Sequence, residues 1–190
     1  MGSLQNKLLA VLILLLLLPL LFTLALLIKL TSKGPVFFKQ QRLGLNKQPF
    51  AIYKFRTMKL RSNQAFQAAM PGDTRITKLG HLLRKTSLDE LPQLLNVLKG
   101  EMALVGPRPY VLEQNQHYEQ VFANYHLRYT VLPGMTGWAQ VHGLRGYANS
   151  DAQMQERVNA DLYYVQHKTL LFDIKIMLRT IIHGFINNQP

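Results

Sequence analysis

From Leu8 to Ile28 the chain runs for roughly 20 residues without a charge, long enough as a straight helix to cross a hydrocarbon core of ~30 Å. The run exceeds the roughly 7–15 apolar residues of a secretory h-region, and no small-x-small cleavage site follows it, so it reads as a membrane segment. Pro19, near its middle, removes one helix hydrogen bond and crowds the preceding turn. Two geometries accommodate it: a kinked helix that crosses the bilayer, or one that breaks at Leu18–Pro19 and returns to the face it entered. Lys7 precedes the run, whereas Lys29, Lys33, Lys39, Arg42 and Lys47 follow it, a bias that places the bulk of the chain in the cytoplasm.

After the turn cluster Thr31-Ser32-Lys33-Gly34-Pro35 the period changes. Val36-Phe37-Phe38 and Phe50–Phe55 predict two short strands connected through Leu45–Pro49. Arg61–Gly72, polar and alanine-rich, predicts a loop or short helix, and an amphipathic helix is expected around His81–Lys85. Leu94, Leu95 and Leu98 form a core-facing stripe that stops at Lys99-Gly100. Ser150 and Gln153 form a capping box ahead of Met154, Val158, Leu162 and Val165. From Leu170 onward, Leu171, Ile174, Met177, Leu178, Ile181, Ile182 and Phe185 share one side of a helix, with Lys175, Arg179 and His183 among its polar positions. Such a helix packs in a core or lies on a membrane, and the N-terminal segment favours the membrane surface.

Charge narrows the partners. The 22 basic and 10 acidic residues leave a net charge of +12, which points to nucleic acid, a phosphorylated metabolite or an acidic membrane. The cations are spread among distinct motifs and no nucleic-acid-binding signature is present. Cysteine is absent, which excludes a disulfide framework and a thiolate metal site. His142 stands apart from other ligand-type residues, so no zinc site is expected.

The densest chemistry lies between Arg84 and Pro109. In Arg84-Lys85-Thr86-Ser87-Leu88-Asp89-Glu90-Leu91-Pro92-Gln93 two carboxylates adjoin guanidinium and ammonium groups. Such a cluster can hold a diphosphate, bind a divalent cation and supply a carboxylate nucleophile. Ser87-Leu88-Asp89-Glu90 also matches a helix capping box, and spacing alone does not separate the two readings. Pro92 fits best at a first helical position with Leu91 extended, and the helix dipole together with Arg84 then favours ionised Asp89 and Glu90. Arg108, between Pro107 and Pro109, sits on a stiff backbone suited to a phosphate clamp. Lys54 and Arg56 line either a solvated strand face or a phosphate site. Thr136 and Trp138, in the turn-rich Pro133–Gly143 stretch, read equally as a wall for a nucleobase or sugar and as a structural turn with a buried indole.

The ordered set Lys-Gly-Pro-Val-Phe-Phe, Tyr-Lys-Phe-Arg-Thr-Met, Asp-Thr-Arg-Ile-Thr, Ser-Leu-Asp-Glu-Leu-Pro-Gln, Val-Gly-Pro-Arg-Pro and Pro-Gly-Met-Thr-Gly-Trp-Ala-Gln-Val resembles the bacterial sugar transferases, the monotopic phosphoglycosyl transferases, over nearly the whole chain. The resemblance implies transfer of sugar-1-phosphate from a UDP-sugar to undecaprenyl phosphate with release of UMP, initiating a surface polysaccharide. It further implies Asp89 as the nucleophile, Glu90 assisting with metal or proton, and Mg²⁺ as cofactor on Asp89 and Glu90. Lys54, Arg56, Arg84 and Arg108 become phosphate contacts, and Thr136, Trp138, Gln140 and Arg145 candidate contacts to nucleotide or sugar. The expected fold is α/β, rich in helix with small strands. A re-entrant membrane element spans residues 1–30, and a cytoplasmic catalytic domain with interfacial helices spans 31–190 on the bacterial inner membrane.

Three positions depart from the family pattern: Leu18 replaces the serine before Pro19, His142 the asparagine after Ala-Gln-Val, and Leu132 the arginine before Pro-Gly. Gly143-Leu144-Arg145-Gly146 and Asp161-Leu162-Tyr163-Tyr164 are similar to the undecaprenyl-phosphate glucose phosphotransferase branch, which favours UDP-glucose. Members of that branch often carry further N-terminal membrane helices, so a catalytic portion of a longer protein is expected. Membrane lipid is an expected partner, nucleic acid is not, and the oligomeric state, a homo-oligomer included, stays open. The rival reading is a non-enzymatic, membrane-tethered basic module that binds anionic lipid or nucleic acid.

Overall fold

The computed structural model describes residues 1–59, 70, 72–146, 148 and 150–183. The loop expected at Arg61–Gly72 falls mostly outside these residues, as does Phe185 of the C-terminal stripe.

Helix α1 (Ser3–Thr31) contains the whole apolar run and is long and apolar enough to cross a membrane. It remains helical through Leu18 and Pro19. Pro19 has no N–H for the Leu15 carbonyl, and its own carbonyl accepts the Thr23 hydroxyl at 2.9 Å. Both ends of α1 are docked on the rest of the protein. Near the start, Asn6 Oδ1 accepts the Leu104 N–H at 2.8 Å and Ala10 is fully buried. Near the end, Leu24 and Ile28 pack with Phe55 and Leu83. Between the docked ends, Leu15, Leu16, Leu18 and Phe22 are exposed.

Strands β1 (Phe37–Leu43) and β2 (Pro49–Phe55) form an antiparallel hairpin with Phe37 opposite Phe55 and Leu43 opposite Pro49. β1 outruns the three residues that its sequence announces, because Lys39-Gln40-Gln41-Arg42 has no apolar member and most of the strand is exposed. Phe50, Ile52 and Phe55 of β2 point inward. Helix α2 (Lys78–Lys85) is capped as its sequence allows, with Thr77 Oγ1 accepting the Gly80 N–H at 2.8 Å.

Helix α3 (Leu94–Lys99) ends at Gly100, whose φ of 82° is the left-handed stop expected there. It buries Leu94, Asn96 and Val97, whereas Leu95 is exposed. The expected stripe is thus shifted, and a polar residue explains why. Asn96 Nδ2 donates to the Ala51 carbonyl at 2.8 Å and its Oδ1 accepts the Tyr53 N–H at 3.0 Å, which fastens α3 to β2.

Strands β3 (Ala103–Val105) and β4 (Gly134–Thr136) pair in parallel. At their ends the Gly-Pro-Arg-Pro and Pro-Gly motifs meet: Gly106 donates to the Thr136 carbonyl and Gly134 to the Pro107 carbonyl, each at 2.9 Å. A Cβ on Gly134 would come within 2.0 Å of the Gly106 nitrogen, so the contact requires glycine. Between these strands lie α4 (Leu112–Val121) and a 3-10 segment, Tyr125–Thr130, neither of which the sequence pattern announced. α5 (Trp138–Val141) and α6 (Asp151–His167) follow, with Ser150 Oγ accepting the Gln153 N–H at 3.3 Å, the N-cap half of the expected capping box.

Helix α7 (Leu170–His183) has two faces. Phe172, Ile176 and Met177 join the cluster that holds Ala10, Leu9 and Ile13 of α1, while Leu171, Ile174, Leu178, Ile181 and Ile182 are exposed. Among the described residues the fold is therefore helix-rich with two small two-stranded sheets, in keeping with the expected helix-rich α/β class.

Candidate active site

The two carboxylates sit at the start of a 3-10 segment, Leu88–Gln93. The capping box does not form. Ser87 adopts a left-handed backbone, φ 56°, and among the described residues its buried hydroxyl has no hydrogen-bond partner. Leu91 is not extended but lies within the 3-10 turn, and α3 starts only at Leu94. Pro92 lacks the N–H that a longer α-helix through this segment would use.

Freed from capping, Glu90 turns to two cations. Lys54 Nζ, carried by β2, donates to Glu90 Oε1 at 2.7 Å. Arg108 grips the same carboxylate with both Nη atoms, Nη1 reaching Oε2 at 3.0 Å. Burial pushes the Glu90 carboxyl up, but Arg108 and Lys54 outweigh it and hold the group well below its ordinary value. Lys54 is itself pushed down by burial, with Glu90 opposing.

Asp89 is in the contrary state. It is 9% exposed and, among the described residues, its carboxylate accepts no hydrogen bond. Burial, aided by the neighbouring Glu90 charge, raises its pKa from 3.8 to about 6 against the pull of Lys54, Arg84 and Arg108. The sequence-based expectation that both carboxylates are held firmly ionised is thus corrected for Asp89, because burial outweighs its cations.

Two further cations stand in the field of this pair. Arg145 is shifted down by burial, with Glu90 opposing and Arg108 reinforcing. Arg42, absent from the sequence-based site, is lowered to about 10 by burial and by Arg108. Its Nη2 donates to Gln40 Oε1 at 2.7 Å, and among the described residues its buried Nε has no partner. The sequence signalled Arg42 only as one of the basic residues after the membrane run. Arg84, in the last turn of α2, acts on Asp89 through its charge, and its side chain makes no hydrogen bond among the described residues.

The Arg108 loop is fixed from behind. Arg128 Nη2 donates to the Arg108 carbonyl at 2.6 Å while its Nε pairs with Asp161 Oδ2 at 2.9 Å, both side chains being almost wholly buried. The Arg128 guanidinium also lies over the rings of Tyr110 and Tyr125. Sequence reading did not find this pair, since its members stand 33 positions apart.

Other expected contacts are placed elsewhere. Arg56 is buried and donates to the Ser32 carbonyl at 2.8 Å, the Ser32 hydroxyl at 2.9 Å and the Lys33 carbonyl, so its guanidinium ties down the exit from α1 instead of facing the carboxylates. Thr136 Oγ1 bonds Thr180 Oγ1 at 2.7 Å, and buried Gln140 donates to the Met135 carbonyl at 3.1 Å. Trp138 packs on Phe172 and Tyr163, half-buried, with Lys175 and Arg179 over its ring.

The fold thus joins a helix long and apolar enough to cross a membrane to a polar site of two unlike carboxylates ringed by cations. The family model described as bacterial sugar transferase matches residues 3–187, and the chain belongs to that family. It is 48% identical over 184 residues to the UDP-glucose:undecaprenyl-phosphate glucose-1-phosphate transferase of Escherichia coli K12, covering 96% of this chain and 40% of that protein. It is 44% identical to the exopolysaccharide production protein PSS of Rhizobium leguminosarum bv. phaseoli, covering 89% of this chain and 87% of that one. Identity is 43% to the UDP-N-acetylgalactosamine-undecaprenyl-phosphate N-acetylgalactosaminephosphotransferase of Aeromonas hydrophila, covering 88% and 40%. The chain thus spans about 40% of the length of several of the curated relatives it matches.

Proposed function

We propose that the chain transfers sugar-1-phosphate, glucose-1-phosphate by preference, from a UDP-sugar to undecaprenyl phosphate, and so starts a surface polysaccharide. The observation that carries this reading is the division of labour between Asp89 and Glu90. Glu90 is locked to Arg108 and Lys54, whereas Asp89 keeps a free, poorly solvated carboxylate beside them. A nucleophile needs that freedom.

An Asp89 oxygen attacks the sugar-bearing phosphorus, the bond from that phosphorus to the bridging oxygen breaks, and UMP leaves. An oxygen of the lipid phosphate then attacks the same phosphorus and the bond to Asp89 breaks, which restores the carboxylate. Each step spreads charge over phosphoryl oxygens, so the protein's task is positioning and neutralisation. Among the described residues Arg84 and Arg42 have no carboxylate within ion-pair distance, and with Arg145, which stands in the field of Glu90, they are suited to the incoming phosphates.

Mg²⁺ fits this site as an ion shared with a diphosphate. Among the described residues no group of three or more acidic or histidine ligands exists, which argues against a closed protein cage, but Mg²⁺ is commonly held by one or two carboxylates plus substrate phosphates. Asp89, with no hydrogen bond to give up, and Glu90 would hold it. Bound there, the ion would neutralise charge developing on the phosphoryl oxygens.

The membrane geometry follows from α1. A straight helix of 29 residues spans roughly 43 Å, yet residues near both ends are docked on one globular body. Docking near both ends supports an element that enters the cytoplasmic leaflet of the inner membrane with both ends and the catalytic domain on the cytoplasmic side, as one continuous helix without the break expected at Leu18–Pro19. Gln5 is exposed near the start of α1, and the chain has no native cysteine. A Gln5→Cys variant in intact cells is therefore expected to resist an impermeant thiol reagent and to react only after the membrane is opened. Labelling from the periplasm would refute the re-entrant geometry.

The activity is tested by a panel of UDP-sugars scored for UMP release with Mg²⁺ and undecaprenyl phosphate. UDP-glucose is expected to give the highest rate; UMP release from none of the sugars would overturn the proposal.

A further inference from the structure

The sequence offers Trp138 as a wall for a nucleobase, but its surroundings point to another ligand. Lys175 Nζ and the Arg179 guanidinium lie 5.7 and 5.3 Å from the same indole ring. Tyr163 stacks beside that ring at 5.9 Å, and His167 stacks on Tyr163 at 4.1 Å. His142 Nδ1 sits 2.8 Å from the Trp138 carbonyl, which can only accept, so Nδ1 carries the proton. Its Nε2 is then left to accept from Arg179 at 3.0 Å, which fixes the guanidinium over the ring. Among the described residues neither Lys175 nor Arg179 has a carboxylate within ion-pair distance. Two cations are thus gathered at one aromatic face without a counter-ion, an arrangement that favours an anion.

The position on α7 says which anion. At about 100° per residue, Leu171, Ile174, Leu178, Ile181 and Ile182 fall within one arc, and this arc is exposed, Leu171 by 79% and Ile182 by 70%. Lys175 and Arg179 follow at its edge, on the side of α5, and beyond them comes the buried face with Ile176. An apolar arc bordered by cations and amphipathic rings is the order of chemistry met on passing from acyl chains to headgroups. The inner residues of α7 share a cluster with α1, so the helix that bears the arc is packed in the same body as the membrane helix.

We propose that Trp138, Lys175, Arg179 and His142 form a headgroup site for acidic phospholipid, with Lys175 and Arg179 taking the lipid phosphate and the apolar arc of α7 lying against the acyl chains. The inference rests on the membrane placement argued above, but not on the chemistry at Asp89. It assigns Trp138 to lipid, not to the sugar nucleotide.

Trp138 is the only tryptophan, so its fluorescence reports this site alone. The full chain is reconstituted in vesicles of phosphatidylcholine alone, or with phosphatidylglycerol at about 3:1. Lipids brominated near the carbonyl end of the acyl chain are expected to quench Trp138 at least about twofold more than lipids brominated near the methyl end, consistent with a ring at headgroup depth. Phosphatidylglycerol is expected to shift the emission to the blue, and the shift should vanish in molar salt. Replacing both Lys175 and Arg179 with glutamine should abolish the lipid-dependent shift, with folding checked by far-ultraviolet circular dichroism. Emission that ignores lipid composition and is quenched by aqueous iodide alone would overturn the proposal. So would protection from iodide by UDP-glucose in vesicles free of acidic lipid, which would make the indole a nucleotide wall. No arm requires turnover, and adduct formation measured on the same vesicles shows separately whether the transfer chemistry holds.

Discussion

Asp89→Asn is expected to remove sugar-phosphate transfer altogether while making the protein more stable at neutral pH. The loss follows from chemistry: an amide is no nucleophile towards phosphorus, so the rate should fall by roughly 10⁴-fold or more. The gain follows from burial. The folded pKa of Asp89 lies near 6, above its ordinary 3.8. A carboxyl raised in this way contributes its stability fully below the ordinary value and loses it as pH rises through about 6. At pH 7 the ionised group therefore opposes folding by an amount on the order of 1–3 kcal/mol, which asparagine removes. Melting curves and a single-turnover assay on one preparation measure both effects. The wild-type rate of adduct formation should climb with pH as the Asp89 carboxylate forms. Asparagine with activity within a few-fold of wild type would return Asp89 to a merely structural role.

Arg108→Ala is expected to act with the opposite sign on stability. Glu90 is held below its ordinary value of 4.5, so its contribution is present above that value and is lost as pH falls through the folded one. Removing Arg108 leaves Glu90 with Lys54 alone, in a site where its carboxylate is 18% exposed. The expected loss at pH 7 is roughly 2–4 kcal/mol, somewhat below a fully buried pair. Adduct formation should fall on the order of 10³-fold, since the guanidinium that orients Glu90 and, on the proposed mechanism, adds positive charge beside the phosphates is gone. Arg108→Lys keeps the charge without the two-pronged grip and is expected to fall between the two. Denaturant melts and the single-turnover rate test this, and a variant with wild-type stability and rate would remove Arg108 from the account.

What the sequence revealed depended on whether the relevant signal was local. The apolar run of α1, the glycine stop after Lys99 and the Ser150 cap are written in neighbouring residues, and the structure forms all three. The Asp-Glu pair and the Pro-Arg-Pro clamp were also legible, because stiff or charged residues stand together. Partner choice was not. Arg56 and Lys54 lie two positions apart in the same motif, yet Lys54 reaches Glu90 while Arg56, past the end of β2, closes on Ser32 and Lys33. Ser87 looked like a cap until its left-handed backbone released Glu90 to the cations. α4 escaped notice because it buries Asn115 in place of an apolar stripe, with Nδ2 donating to the Tyr110 carbonyl at 3.1 Å and Oδ1 accepting from Tyr125 at 2.7 Å. Arg42, on a polar and mostly exposed strand, gave no periodic signal of the site beside it.

The central claim, that Asp89 carries the sugar phosphate between donor and lipid, is tested most directly by mass spectrometry. The protein is incubated with UDP-glucose and Mg²⁺ in the absence of undecaprenyl phosphate, then digested. A hexose phosphate should appear on the peptide containing Asp89, with UMP released in equal amount, and it should disappear when the lipid phosphate is added. UMP that forms only when both substrates are present, with no modified peptide at any time, would mean that the sugar phosphate passes directly from one substrate to the other.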